Sequence, residues 1–481
     1  MSETQLAKEV VIVGAGISGL AAAFELQERA KAAGVPLKLT ILESRPRIGG
    51  AIWTEEIDGF LCEGGADSFI TNKPWAVDLC HKLGLSDELM ETDTTNRRSF
   101  VLRKGKLMPV PEGFVLMAPN RAWPVLATPI LSWKAKLRLM LEPFIPRRQP
   151  GGEDESLASF VKRRLGSEVL ERLVQPLVGG IYTANPNELS LRSTMPQFIE
   201  MEAKHGSLLR ASLWPRKEKK SIDKSASGAR YGLFLTLKGG MGRLLDKLAE
   251  VLPAGSIRLD SPVRRLCHDE TGQKWKLELL SGESIIADGV ILAAEAHASA
   301  RLVDELDTTL ARHLRSIPYA SSAIALVGFD KSQISHPLNG FGMVVPASEN
   351  RRVLAISFTS VKLPSRAPAG KVLLRVFVGG AMQPELYDLP DEEIKKIVLE
   401  ETADMLGTSG PPCLYRLARH GRAMPQYTLG HQDRVRQIEE QLAHHHGLVI
   451  ASNALSGVGV PDCVRTARLA VQKLASQLKI N

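Results

Sequence analysis

The chain has 481 residues, 44% hydrophobic and 24% charged, which excludes a disordered polymer and leaves room for roughly three domains. The net charge of +8 suits acidic partners or a solvated basic surface, yet no zinc-finger spacing and no RNP-type aromatic motif occurs, so nucleic acid is not expected. Five widely spaced cysteines without a C-x-x-C argue against a disulfide framework and fit a reducing cytosol. Residues 1–9 show no apolar leader, and no uncharged apolar run reaches the roughly 18 residues of a membrane span.

The first element is a short strand, Val10-Val11-Ile12-Val13. The turn Gly14-Ala15-Gly16-Ile17-Ser18-Gly19 follows, then apolar residues at helical spacing (Ile17, Leu20, Phe24), then Leu37, Leu39 and Ile41 alternating with Lys38 and Thr40. This is one βαβ unit, the context that gives a G-x-G-x-x-G its mechanism. Gly14 permits the tight turn, Gly16 lets the backbone approach a pyrophosphate, and Gly19 lets helix and strand pack closely. The helix start at Ile17 and Ser18 supplies N–H groups and partial positive charge to the anion. Glu43 ends the second strand, where an acid about 20 residues past the glycines holds ribose hydroxyls; the longer connection over residues 31–36 accounts for its later place. An acid there disfavours a 2′-phosphate, so NADP is not expected. Directly behind it, Arg45-Pro46-Arg47-Ile48-Gly49-Gly50 offers a second backbone approach point with two positive charges, which suits a longer diphosphate-linked cofactor, FAD.

From about residue 79 to 210 the pattern is mainly helical. Within it, residues 110–148 mix apolar side chains with Trp123, Trp133, Lys134, Lys136, Arg138, Arg147 and Arg148. That mix fits either helices lying on an anionic membrane surface or packed helices with a basic outer face. Residues 217–230 read as a Lys/Ser/Gly loop without assigned function, and 289–294 as a buried strand. Runs at 322–329, 341–345, 353–358 and 372–378 predict a sheet in a second domain. A last strand at 448–451 enters Gly457-Val458-Gly459-Val460-Pro461-Asp462-Cys463, whose backbone N–H groups suit the N1–C2=O edge of a reduced flavin. No second G-x-G-x-x-G appears in strand–turn–helix context, which favours a flavin reduced by an organic substrate and reoxidised by oxygen or another acceptor. No metal or Ser/His/Asp constellation is found.

The Arg45 to Gly50 segment resembles flavoproteins of the amine oxidase superfamily, as does Lys238-Gly239-Gly240-Met241-Gly242-Arg243-Leu244. Other blocks resemble one branch of it, the oxygen-dependent protoporphyrinogen and coproporphyrinogen oxidases. They are Asp154-Glu155-Ser156-Leu157, Gln175-Pro176-Leu177-Val178-Gly179-Gly180-Ile181-Tyr182, Thr194-Met195-Pro196-Gln197-Phe198 and Met424-Pro425-Gln426-Tyr427 with Gly430-His431. The resemblance spans residues 10–475. It implies an α/β fold: a FAD-binding Rossmann-like βαβ domain, like that of p-hydroxybenzoate hydroxylase, with an interleaved substrate domain of mixed sheet plus helices and a helical region. The expected divisions are 1–80, 230–305 and 440–481 for FAD, 81–229 for the helical and candidate membrane-contact region, and 306–439 for the sheet-containing substrate domain. It implies cofactor contacts from Gly14, Gly16, Ile17, Ser18, Gly19, Glu43, Ser44, Arg47, Gly49, Gly50, Val263, Gly459 and Val460. The implied reaction is a six-electron aromatisation of a tetrapyrrole in haem synthesis, with molecular oxygen as acceptor. Ser99 stands where many protoporphyrinogen-type members have Arg, and Arg97 and Arg98 precede it, so the four-propionate substrate is favoured; the two arginines also read as solvated surface charge. The chain departs from the family at Ala66 and Glu295, each in place of Pro, at His420 in place of Trp, and at Ser452 in place of Gly. A packing role is favoured for His420 over a base, and the Cβ of Ser452 is expected to hinder close approach to the cofactor.

Overall fold

The computed structural model describes residues 7–119, 122–149, 151–213 and 234–480. Residues 217–230 therefore lie outside the described part.

The opening apolar run forms the strand Lys8–Val13 at the centre of a five-stranded parallel sheet. The order is Ile257–Arg258, Leu37–Leu42, Lys8–Val13, Gly289–Leu292, Leu448–Ile450. Val10 lies opposite Leu39 on one side and Gly289 on the other. A strand covered on both faces needs an unbroken apolar run: Val10 and Ile12 enter one core, Val11 and Val13 another. Helices Ile17–Ala33 and Val460–Leu478 cover the first face together, the small Ala21, Ala22 and Ala23 sharing that core with Val464, Ala467 and Val471. Gly34, in the left-handed region at φ 66°, ends the first helix. The antiparallel strands Val263–His268, Trp275–Leu279 and Ser284–Ala287, with helices Ala296–Leu302 and Thr308–Arg315, cover the other face.

The second sheet has seven strands, ordered Leu414–Pro425, Tyr319–Asp330, Lys371–Gly379, Ala355–Phe358, Gly342–Val344, Ser99–Arg103, Lys106–Pro109. Neighbours are antiparallel except Gly342–Val344 beside Ser99–Arg103, where Gly342 pairs with Ser99 in parallel. The four runs expected after residue 320 form its centre. Two features differ from the sequence reading. The region read as helical after residue 79 supplies two strands here, because Phe100, Val101 and Leu102 are buried on both faces of the sheet and favour extended backbone. The strand Leu414–Pro425 is not anticipated at all. It carries Arg416, Arg419 and Arg422 along a sheet edge, where charge replaces the apolar alternation that marks inner strands.

The helical region keeps its own core around Phe160, Val161, Leu173 and Leu177. Inside it the fully buried Arg164 pairs with the fully buried Glu142, whose carboxylate also accepts from the N–H groups of Leu208 (3.0 Å) and Leu209 (3.2 Å). Filling those lone pairs is what makes a buried ion pair tolerable. Helix Gln175–Tyr182 abuts the seven-stranded sheet, with Gln175 Oε1 accepting from Ala347 N–H at 3.0 Å. Among the described residues no helix is long and apolar enough to cross a membrane.

Candidate functional site

The carboxyl ends of the parallel strands carry the glycine turn. Gly14 sits at φ 107°, and a Cβ on it would stand 3.0 Å from the Ala293 carbonyl oxygen. A Cβ on Gly19 would fall 1.9 Å from the Gly14 oxygen, so only glycine lets helix and turn close up. Gly16 is different: no heavy atom lies within 4 Å of where its Cβ would be. The turn therefore leaves an open cradle at the start of a helix whose first turn holds no acid. Ile17 and Ser18 are buried beneath it, and the Ser18 hydroxyl lies beside the thiol of Cys463 on the last helix.

Glu43, only 6% exposed, rims this cradle. Its carboxylate accepts from Ala15 N–H at 2.8 Å, Arg45 N–H at 3.0 Å and the Ser44 hydroxyl at 3.3 Å. A carboxylate has about four acceptor positions, so one remains for a ribose hydroxyl. Gly49 and Gly50, both at positive φ, come next. Gly49 N–H donates to Ala15 O at 2.8 Å, and Arg47 donates to Gly50 O at 2.8 Å, with Arg45 at 3.3 Å. Burial and the neighbouring Arg45 push the Arg47 guanidinium below its ordinary value, with Glu43 opposing them. Two crowded cations beside an open helix start form a site for a dianion such as a diphosphate. Val263 begins the strand beyond the loop that meets Glu43, where Ser261 N–H donates to Glu43 O at 2.8 Å.

At the far end, Gly457 (φ 81°) packs so closely on Asp462 that a Cβ would stand 2.3 Å from its carboxyl carbon. Gly459 begins the last helix, and Val460 is buried behind it. Asp462 pairs with Lys73 at 2.6 Å. The Lys238 to Leu244 segment packs near the second glycine turn: Gly240 and Gly242 pack on Thr54, and the adjoining Leu245 would meet a Cβ on Gly49.

A group the sequence reading missed sits between the two sheets. Asp67 bonds Lys362 Nζ at 2.8 Å and Arg375 Nη1 at 2.9 Å. Burial alone would raise the Asp67 carboxyl, but the two cations outweigh it and hold it well below the usual carboxylate range. Arg375 also donates to Gly65 O, and its Nε–H is buried without a partner among the described residues. A signal was available: Arg375 interrupts the apolar run 372–378 of an inner strand, and a charge there requires a partner.

The four family departures lie in two neighbourhoods, linked through intervening residues rather than by direct contact. His420 Nε2 meets Gly64 O at 2.6 Å, two residues from Ala66. Ser452 lies beside the Tyr319 hydroxyl, which accepts from Ala296 N–H at 2.8 Å, the residue after Glu295. The Ser452 hydroxyl itself accepts from Ala454 N–H at 3.2 Å, so it is engaged within the protein. Of the substrate candidates, Ser99 is buried with its hydroxyl unpartnered among the described residues, Arg97 donates to Asp93 O at 3.2 Å, and Arg98 is exposed.

A βαβ cradle rimmed by a buried acid and followed by an arginine–glycine turn is the arrangement of a dinucleotide-binding fold, and the chain belongs to the flavin containing amine oxidoreductase family, whose model matches residues 17–475. More particularly, it is 35% identical to the coproporphyrinogen III oxidase of Bacillus subtilis, over 98% of both chains. It is 27% identical to protoporphyrinogen oxidase 2 of Arabidopsis thaliana, over 98% of this chain and 94% of that one. A solved structure from Exiguobacterium matches with TM-score 0.86 and 31% identity, covering 99% of this chain and 100% of that one. Putrescine oxidase, at 18% identity and TM-score 0.67, shares the fold.

Proposed function

We propose that this chain oxidises a porphyrinogen to a porphyrin with FAD, and that its substrate is coproporphyrinogen III. The observation that carries the reading is the open cradle at Gly16 between Glu43 and the crowded Arg45 and Arg47, which fits the adenosine diphosphate half of FAD. The relatives' names supply the substrate class, and a basic chain suits a four-carboxylate ligand. FAD, when bound, accepts two electrons and a proton equivalent per cycle and passes them to oxygen. Three cycles remove six hydrogens from the macrocycle and yield three hydrogen peroxide from three oxygen molecules. The residues bind and orient: Gly14 to Gly19 with Glu43, Ser44, Arg47 and Val263 hold the nucleotide, and Gly459 and Val460 present the last helix start to the ring. Ser99, with Arg97 and Arg98 upstream, stands at the substrate sheet. We assign residues 1–80, 230–305 and 440–481 to the cofactor, and the remainder to the substrate.

The test is direct. The purified protein should be yellow, and coproporphyrinogen III added in air should give porphyrin fluorescence faster than protoporphyrinogen IX does. Preference for protoporphyrinogen IX would reverse the substrate choice. A yellow protein inert to both would point to another flavin oxidoreductase, and a colourless one that takes up no FAD to a silent binding protein.

A second reading concerns membranes. Trp133, Leu137, Met140 and Leu141 follow each other at helical spacing and are all exposed, Trp133 by 70%, while Ala135 and Leu139 of the same turns are buried. Phe144 just beyond is 77% exposed. An apolar stripe next to Lys134 and Lys136 fits peripheral contact with anionic lipid.

A further inference from the structure

The turn Gly64-Gly65-Ala66-Asp67 has no side chain that could anchor its first half. A Cβ on Gly64 would enter the Trp53 indole at 1.8 Å, and one on Gly65 would meet the Ala51 carbonyl at 2.1 Å. Its position is therefore set by bonds to its backbone. Gly64 N–H donates to Trp53 O at 3.1 Å on the near side. From the seven-stranded sheet, His420 meets Gly64 O and Arg375 donates to Gly65 O. Residues 51–53 run on from Gly49 and Gly50, and Gly49 is bridged to Gly16. One backbone path thus joins the diphosphate cradle to this turn.

We propose that His420 is a positioning residue of the cofactor site, donating its Nε2–H to the Gly64 carbonyl and, with Arg375 on the next carbonyl, fixing the Gly64–Gly65 turn from the substrate sheet. The inference rests on the FAD reading. A carbonyl only accepts, so the imidazole must carry its proton on Nε2. Burial favours the neutral ring, and Arg375, Arg45 and Arg47 act in the same direction; only the bond to Gly64 opposes them. The indole of the family's Trp is also a donor and nothing else, so His420 keeps the donor while changing the ring. Ala66, standing for Pro, removes a rigid φ from the same turn. The clamp replaces a constraint the backbone has lost.

The experiment compares FAD-loaded wild type with His420→Phe and His420→Gln, reading FAD dissociation by flavin fluorescence and the positions of the visible flavin bands. Leaving a buried carbonyl unmet should speed FAD loss roughly tenfold and shift the bands in His420→Phe. His420→Gln, which retains an N–H donor, should stay within about twofold of wild type. A His420→Phe protein with wild-type dissociation and wild-type bands overturns the clamp while leaving the cofactor reading intact. A wild type that takes up no FAD overturns both. Independently of any variant, 15N-histidine NMR of the wild type should show a neutral Nε2–H tautomer at His420 whose resonance moves on FAD loading. An Nδ1–H tautomer, an imidazolium at neutral pH, or an unmoved resonance also overturns it.

Discussion

Gly16 offers an unusually clean test at the level of a single residue. Its backbone, at φ −73° and ψ 178°, is extended and open to any side chain, and its Cβ position is empty. Gly16→Val should therefore fold with a melting temperature close to wild type yet retain no FAD, as absorbance after gel filtration would show. Glu43 differs, because Ala15 N–H and Arg45 N–H depend on it. Glu43→Gln should weaken FAD about tenfold with little loss of stability, whereas Glu43→Ala should also cost about 1–3 kcal/mol in denaturant unfolding. The glycine turn and the acid beside it were readable from sequence because local geometry sets where they lie. Asp67, Lys362 and Arg375 were not, since their meeting spans about three hundred residues and depends on how two sheets face each other.

At the level of elements, the exposed stripe on helix Trp133–Met140 makes a second prediction. Trp133→Ser combined with Phe144→Ser should reduce co-sedimentation with phosphatidylglycerol vesicles several-fold and leave oxidation of soluble porphyrinogen unchanged. Equal binding by both proteins would remove the membrane reading. The sequence showed this mixture of Trp and Lys but left two arrangements open, and the vesicle measurement decides between them. Most inner strands of the large sheet were legible from their apolar runs, Ser99–Arg103 excepted. The edge strand Leu414–Pro425 was not, because its pairing with Tyr319–Asp330 is a backbone property that its charged side chains conceal.

For the whole molecule, acid sensitivity follows from His431. Its ring stacks on Tyr427 with centroids 4.2 Å apart, Nε2 meets Leu455 O at 3.1 Å, and Nδ1 is buried without a partner among the described residues. Burial pushes this histidine down from 6.5 to about 4, the bond to Leu455 opposing it. Between those values the unfolded chain binds more protons than the folded one. Stability is complete above pH 6.5 and falls as pH drops towards 4, by up to about 3 kcal/mol. His431→Gln should flatten the denaturation midpoint across that window, and a variant as acid-labile as wild type would show that other groups are responsible. The interleaved order of the two sheets was expected from family resemblance rather than from periodicity, which sees neighbours along the chain and not partners across it.

The sheet that bears the cradle closes with Leu448–Ile450, and the helix starting at Val460 then shares a core with Ile17–Ala33. During synthesis, residues 8–33 must wait for residues 448–478, more than four hundred positions later, before this core can close. A nascent chain halted at residue 447 would expose the Ala21 to Ala23 face and the edge of Gly289–Leu292 to chaperones, and loading with flavin would have to await residues 448–478.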